Sequence, residues 1–190
     1  MLAEAVRAVR EGGVIALPFE RLFGLAAHAL DGRAVDRAAA IKKRDGASSP
    51  IAVIIPQLES LSRVASDFPA TARELAERFW PGPLTLLLPA IDGLPAPLVS
   101  ASGRIGVRLP GECPAAELAR ASELVLTATS ANPSGGPDAR TDSDLAALEG
   151  VDLLVPGAVP GPPGSTVVDA AGPHPVVIRP GVVDISARRP

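Results

Sequence analysis

The chain has 190 residues, a net charge of −3 and 47% hydrophobic residues, which suffices for one folded domain with a full core. We expect a single cytoplasmic domain over residues 1–190, because no apolar run reaches the ~20 residues of a membrane span and the amphipathic, acidic N-terminus is unlike a secretion signal. One cysteine, Cys113, excludes an intrachain disulfide, and two histidines leave no cluster of soft metal ligands. We therefore predict no protein-built metal site.

Hydrophobic periodicity and turn residues predict helices alternating with short strands. In chain order we predict a helix over 3–11, a strand over 14–17, a helix over 34–43, a strand over 51–55, helices near 58–64 and over 70–79, strands over 84–88 and 105–109, a helix over 114–121, a strand over 124–128, a helix over 142–148, and strands over 153–155, 166–169 and 176–178. Asp67 is the expected cap of the 70–79 helix, with Pro69 near its first turn. This alternation is typical of an α/β sheet with helices packed against it.

A polar loop follows the strand predicted at 124–128. The segment TATSANPSGGP, residues 127–137, includes Ser130 and Asn132 and then a Gly-Gly pair. Open α/β sheets usually bind ligands where strands end, and glycine lets the backbone approach a ligand closely. The same residue types also form ordinary turns, so composition leaves a binding loop and a structural turn both open.

Positive side chains gather at three further places. Residues 42–44 read Lys-Lys-Arg at a solvent-reachable helix end, where they either complement the helix dipole or clamp phosphate. Arg104 and Arg108 flank a predicted strand and are spaced so that both point to the same side. The segment GSTVVD, residues 164–169, is followed by Arg179. The sequence shows no His–Asp pattern that would activate a serine nucleophile.

Five segments in order resemble the YrdC family of threonylcarbamoyl-AMP synthases: FWPGPLTLLLPA, IGVRLP, TATSANPSGGP, GSTVVD and VIRPG. The pair Lys42-x-Arg44 also stands where that family has its K-x-R pair, and the resemblance runs from about residue 12 to 181. It implies an α/β fold consisting of a single YrdC-like domain, in which a twisted mixed β-sheet with flanking helices surrounds a large concave cavity.

The resemblance also implies a reaction, in which L-threonine, bicarbonate and ATP with Mg²⁺ give threonylcarbamoyl-AMP and pyrophosphate. A partner transferase would then pass the threonylcarbamoyl group to tRNA, and the cavity could itself contact tRNA or double-stranded RNA. By resemblance the catalytic and ATP-binding tetrad is Lys42, Arg44, Ser130 and Asn132. Arg179 falls at a further ATP-site position, and the threonine-site positions are Phe19, Arg108 and Ser165.

The opening motif departs from the family pattern. The chain has PFERLFGL at 18–25, where the family reads roughly P-T-[DE]-[ST]-V-Y-G-L, so Phe19 and Arg21 replace small hydroxyl residues. Two alternatives therefore stay open beside the synthase. One is a divergent paralogue that uses another amine or carbamoyl donor. The other is a non-catalytic protein that binds RNA through Arg33, Arg37 and residues 42–44.

Overall fold

In the computed structural model, which describes residues 1–42, 50–132, 136–139, 141–146 and 148–186, nine strands form one mixed sheet. The strands are β1 Ile15–Pro18, β2 Phe23–Ala26, β3 Ala52–Ile54, β4 Leu84–Pro89, β5 Arg104–Arg108, β6 Leu126–Ser130, β7 Leu153–Leu154, β8 Thr166–Asp169 and β9 Val176–Arg179. The helices are α1 Leu2–Arg10, α2 Gly32–Ile41, α3 Ala70–Phe79, α4 Pro114–Ser122 and α5 Asp142–Ala146, with 3-10 turns at Leu58–Arg63 and Ala96–Leu98.

The strands follow one another across the sheet in the order β7-β1-β2-β6-β3-β5-β4-β8-β9. Neighbours β1/β2, β2/β6, β6/β3, β5/β4 and β8/β9 are antiparallel, whereas β7/β1, β3/β5 and β4/β8 are parallel. Ala128 pairs with Ala52 on β3, and the β3/β5 register places Gly106 beside Ala52. Ser130, at the end of β6, and Arg104, at the start of β5, each lie two residues beyond this row on the same side of it. The register therefore fixes which side chains share an edge of the sheet.

Alternation along the strands separates a core face from an open face. Leu84, Leu86 and Leu88 on β4 and Ile105 and Val107 on β5 are fully buried in the largest hydrophobic cluster. That cluster continues into α3 through three residues that recur at helical spacing: Ala72, Leu75 and Ala76. A second cluster joins α1 and α4 to β1, and a third joins α2 to β1 and β2. The side chains between the core positions of β4 and β5 consequently point to the other face, where the cavity lies.

The predicted α/β class and mixed sheet are confirmed, with local differences. Strand β2 was not predicted, because FGLA lacks the alternation and the β-branched residues that mark strands. Residues Leu58–Arg63 form a 3-10 turn instead of an α-helix. The predicted cap Asp67 is wrong, since α3 begins after Pro69 and no side chain caps it. Among the described residues, no helix combines the length and the apolar character needed to cross a bilayer.

Candidate functional site

A concave cavity of about 620 Å³ lies over the open face of the central strands. Its wall includes alternate residues of β5, namely Arg104, Gly106 and Arg108, together with Thr85 and Leu87 of β4. The polar loops that follow β1 and β6 and the hairpin β8–β9 complete the rim. A cavity of this size suits a ligand as large as a nucleotide.

Small residues make the floor of this cavity flat. Ala52, Gly106 and Ala128 stand side by side on β3, β5 and β6. A Cβ atom placed on Gly106 would lie 3.2 Å from the Ala52 Cβ and 3.2 Å from the Thr85 Cγ2, which is a tight contact. The absence of larger side chains here lets a ligand approach the backbone closely.

A buried lysine cluster adjoins one end of the cavity, where Ser130 lines the wall. Helix α2 ends at Ile41, and the Lys42 side chain crosses to the end of β6, where it is 3% exposed. Its Nζ donates to the Asn132 Oδ1 at 2.7 Å, to the Ser130 carbonyl at 2.8 Å and to the Ser130 Oγ at 3.1 Å. The Ser130 Oγ, which lines the cavity, also donates to the Asn132 Oδ1 at 2.6 Å. The structure thus joins three members of the predicted tetrad.

The expectation of a solvent-reachable lysine is therefore wrong. Sequence reasoning treated residues 42–44 as one exposed basic run, but burial and hydrogen bonding hold the Lys42 ammonium inside the protein. Arg44, the fourth member of the tetrad, and Lys43 lie outside the described residues.

The other end of β5 carries a buried ion pair. Arg108 Nη1 lies 2.9 Å from the Glu20 Oε2, and the two side chains are 9% and 11% exposed. This approach is an ion pair without hydrogen-bond geometry, while the Glu20 Oε1 accepts a hydrogen bond from the Gly111 amide at 2.9 Å. The guanidinium also lies 5.6 Å from the centre of the Phe19 ring, a cation–π contact. Burial lowers the pKa of Arg108, and the charge of Glu20 opposes that shift.

Hydroxyl groups and a second arginine lie beside this pair. The Thr85 Oγ1 donates to the Ser165 Oγ at 3.0 Å, and Arg179 Nη2 donates to the Ser165 carbonyl at 3.0 Å and to its Oγ at 3.2 Å. The registers of β4, β5 and β8 bring Thr85 and Val167 to the level of Arg108, so these groups share one end of the cavity. Arg21 also lines the cavity, and its Nε donates to the Pro163 carbonyl at 3.3 Å.

The predicted site residues thus form two groups at opposite ends of one floor. Four residues along β5 separate the levels of Arg104 and Arg108, which corresponds to roughly 13 Å. Sequence reasoning did not assign Glu20 and Thr85 to the site. Glu20 could have been identified from its place in the opening motif, since a buried arginine such as Arg108 requires a counter-charge.

The basic segment proposed for RNA binding is largely engaged within the protein. Arg37 Nη2 forms an ion pair with the Asp152 Oδ2 at 2.7 Å, and its Nη1 donates to the Gly12 carbonyl at 3.1 Å. Lys42 is buried, while Arg33 is exposed at the start of α2. Within the described part of this segment, Arg37 and Lys42 are therefore engaged in internal contacts, while Arg33 is exposed.

The carboxylates of the cavity do not form a metal cage. Asp138 and Asp169 line the wall, yet no group of three or more His, Cys, Asp or Glu side chains within the described ranges could hold a metal ion. Magnesium commonly binds through substrate phosphates with few protein ligands.

Comparison with known proteins adds an independent line of evidence. The Sua5/YciO/YrdC family model, described as telomere recombination, matches residues 7–181. The chain is 36% identical over 176 residues to the threonylcarbamoyl-AMP synthase of Pyrococcus abyssi and 35% identical over 186 residues to that of Bacillus subtilis. These alignments cover 91% and 95% of this chain but 52% and 53% of those proteins, so the chain spans about half their length. The crystal structure of Pyrococcus abyssi Sua5 complexed with L-threonine matches with a TM-score of 0.86 at 36% identity, covering 95% of this chain and 54% of that one.

Proposed function

The chain belongs to the Sua5/YciO/YrdC family, and from that premise we propose that it is a threonylcarbamoyl-AMP synthase. The proposed reaction condenses L-threonine, bicarbonate and ATP to threonylcarbamoyl-AMP and pyrophosphate. One observation carries the proposal most directly. One cavity is lined at one end by Ser130, which is hydrogen-bonded to the buried Lys42 ammonium, and at the other end by the buried Arg108. Such a cavity suits a reaction that brings several anions together.

The lysine end is proposed to bind the phosphates of ATP. The Lys42 ammonium organises Ser130 and Asn132, and Ser130 lines the cavity. A preorganised cation in a water-poor site stabilises charge that develops during phosphoryl transfer more strongly than the same cation in water. Arg44 is proposed to complete this end, as the family pattern implies.

The arginine end is proposed to bind the amino acid. A guanidinium matches a carboxylate in shape and charge, and Arg108 is held in place by Glu20 and by the face of Phe19. Ser165 offers a hydroxyl already oriented by Thr85 and Arg179. Arg179 is proposed to contact ATP. Because Arg179 is hydrogen-bonded to Ser165, this contact would lie where the nucleotide and the carbamate meet. Positioning of reactants can replace a nucleophilic side chain here.

Magnesium is proposed to arrive with the nucleotide. The described residues form no cage of three or more carboxylate or imidazole ligands, so Mg²⁺ would be bound chiefly by the phosphates of ATP. Its charge would offset the phosphate charge that the lysine end does not neutralise.

The proposed product requires a second protein. Threonylcarbamoyl-AMP is an activated acyl group, and we propose that a transferase in the cytosol passes the group to tRNA. Direct contact of this chain with tRNA or double-stranded RNA would have to use residues other than Arg37 and Lys42, because those two are engaged internally.

A second candidate is favoured by Phe19. Its ring is buried and packs against Arg108 where the family has a small hydroxyl residue. A hydrophobic wall distinguishes amino acids weakly, by about 1–3 kcal/mol, compared with a site that hydrogen-bonds a hydroxyl. The candidate is a synthase of the same chemistry whose amine substrate is an amino acid other than threonine.

One experiment separates these candidates. The protein is incubated with MgATP, bicarbonate and each amino acid in turn, and pyrophosphate and the carbamoyl-adenylate are measured. Pyrophosphate release that needs both bicarbonate and threonine supports the synthase. Release with another amino acid and not with threonine supports the second candidate, and absence of ATP-dependent product with every amino acid refutes both.

A further inference from the structure

We propose that Arg21 is a specificity-determining residue that binds a second carboxylate on the amine substrate, so that the cavity takes a dicarboxylic amino acid such as aspartate or glutamate. The inference rests on the proposed function, which it deepens by naming a class of amine substrate. It begins from a departure of this chain, because Arg21 stands where the family pattern has a small hydroxyl residue.

The main chain fixes the turn that carries Arg21. The Phe19 amide donates to the Leu22 carbonyl at 3.0 Å and closes the turn between β1 and β2, while the Arg21 carbonyl accepts from the Gly161 amide at 2.9 Å. Arg21 itself is partly exposed and lines the cavity. Its side chain can therefore be replaced while the backbone contacts that shape the turn are retained.

No carboxylate within the described ranges forms an ion pair with Arg21. Its Nε donates to the Pro163 carbonyl at 3.3 Å, and that acceptor carries no charge. The neighbouring Glu20 is already engaged, since its Oε2 lies 2.9 Å from the Arg108 Nη1. A guanidinium binds carboxylate through paired donors, so Arg21 offers the cavity a cation that suits an anionic group on a ligand.

Arg21 belongs to the amino-acid end of the cavity. Its contact Pro163 precedes Ser165 by two residues, which spans at most about 7 Å. The Ser165 Oγ accepts from the Thr85 Oγ1 at 3.0 Å, and the β4/β5 register brings Thr85 to the level of Arg108. The two arginines therefore lie near the same part of the ligand, one proposed to hold the α-carboxylate and the other close to the side chain.

The charges of the substrate match this arrangement. The carbamate of threonine has two anionic groups, and the proposed function gives the α-carboxylate to Arg108 and places the carbamate against the α-phosphate of ATP. The carbamate of a dicarboxylic amino acid has a third anionic group, which needs a further cation in a site shielded from water. Arg21 supplies that cation. The buried Phe19 ring beside Arg108 offers no hydrogen bond to a threonine hydroxyl but can pack against methylene groups.

The reaction at the amine is unchanged by this substrate. The amine and bicarbonate give the carbamate and water, with a new bond between nitrogen and carbon. A carbamate oxygen then bonds to the α-phosphorus while the bond from that phosphorus to the bridging oxygen breaks, and this oxygen leaves with the electron pair as part of pyrophosphate. The side-chain carboxylate takes no part in either step, so its contact with Arg21 affects selection of the amino acid.

Pairs of acidic amino acids and their amides test the proposal. Aspartate, asparagine, glutamate and glutamine are compared by calorimetric titration and by kcat/KM for pyrophosphate release with MgATP and bicarbonate. We expect the wild type to prefer at least one acid over its amide by about tenfold or more, because a charge-assisted pair is formed. Arg21→Gln should reduce that ratio to within about twofold of one, and Arg21→Lys should retain part of it. The control Arg120→Gln, which changes a surface arginine paired with Glu112, should leave the ratio unchanged.

The outcomes separate this inference from the proposed function. A wild type that prefers neither acid over its amide, or an acid preference that persists in a folded Arg21→Gln protein, overturns the role of Arg21. Equal losses for acids and amides in Arg21→Gln would mean that Arg21 only holds the Pro163 loop, and overturn it too. Adenylate formation with threonine and without any preference for an acid refutes the inference and leaves the synthase standing. Acid binding that depends on Arg21, in a protein that forms no adenylate from any amino acid, supports the carboxylate site and refutes the proposed synthase.

Discussion

Replacing Lys42 tests the catalytic proposal and its structural basis together. Lys42→Ala removes an ammonium that donates to Ser130 and Asn132 and leaves a void in a buried place. Lys42→Met fills much of that void while removing the charge. Both variants should lose activity, but they should differ in stability, and that difference makes the pair informative.

The magnitudes follow from the contacts of Lys42. The Asn132 Oδ1 keeps the Ser130 hydroxyl as a donor, and the Ser130 carbonyl keeps the Asn132 amide at 3.0 Å. Removing the ammonium therefore costs the net value of its charged hydrogen bonds, about 1.5–3 kcal/mol each, and leaves no acceptor of these two without a donor. Lys42→Ala adds a cavity and should lower the free energy of unfolding by roughly 2–5 kcal/mol. Lys42→Met should lower it less, because it also removes the desolvation penalty of a buried charge. Loss of one preorganised charge-stabilising group should reduce kcat by about a hundredfold or more in both.

Denaturant unfolding and a continuous pyrophosphate-release assay provide the two measurements. Lys43→Met is the matched control, since it removes the neighbouring positive charge. Activity of Lys42→Met within about threefold of wild type would refute the catalytic role. Equal stability of Lys42→Ala and wild type would contradict the buried cluster itself.

Three further predictions use other contacts. Glu20→Gln removes the charge that faces Arg108 and should raise the KM for the amino acid with a smaller change in kcat. A fall in kcat with an unchanged KM would argue against a role of Glu20 in positioning the amino acid. Phe19→Thr combined with Arg21→Thr should sharpen the preference for threonine over serine in steady-state competition. If the wild type strongly prefers threonine and the double variant loses that preference, the interpretation of the opening motif is wrong. Burial acts to raise the pKa of Asp152, but hydrogen bonds from its arginine partner and a backbone amide outweigh it and lower the pKa. The Tm difference between wild type and Asp152→Asn should hold above about pH 4 and shrink as the pH falls through the lowered pKa, and a difference that grows in acid would contradict this reasoning.

The sequence predicted most of the sheet because its strands carry continuous or alternating apolar runs. Strand β4, Leu84–Pro89, and strand β5, Arg104–Arg108, lie within a residue of prediction, and the same-side placement of Arg104 and Arg108 is confirmed by the cavity wall. Strand β2 carries too few β-branched residues to stand out. It becomes a strand because β1 and β6 pair with it on both sides, which local composition cannot indicate.

The sequence indicated which residues would meet at the lysine cluster, but it did not indicate that they are buried. Ser130 and Asn132 could be selected from their place after a strand, and their contact with Lys42 agrees with a shared role. That Lys42 is enclosed depends on α2 ending beside the end of β6, a long-range arrangement. Likewise the partner of Arg108 depends on how the turn before β2 meets the loop that follows β5, so Glu20 was not identified from spacing.

The flat floor at Gly106 also has an evolutionary consequence. A methyl group gained at this position would lie 3.2 Å from the Thr85 Cγ2, and Thr85 in turn orients Ser165. Thr85→Ser removes one of the two closest carbon atoms but keeps the hydroxyl, so it should lower the cost of Gly106→Ala, while the 3.2 Å contact with the Ala52 Cβ remains. The fitness effects of these two substitutions should therefore depend on the order in which they occur, and lineages that retain threonine at 85 should retain glycine at 106.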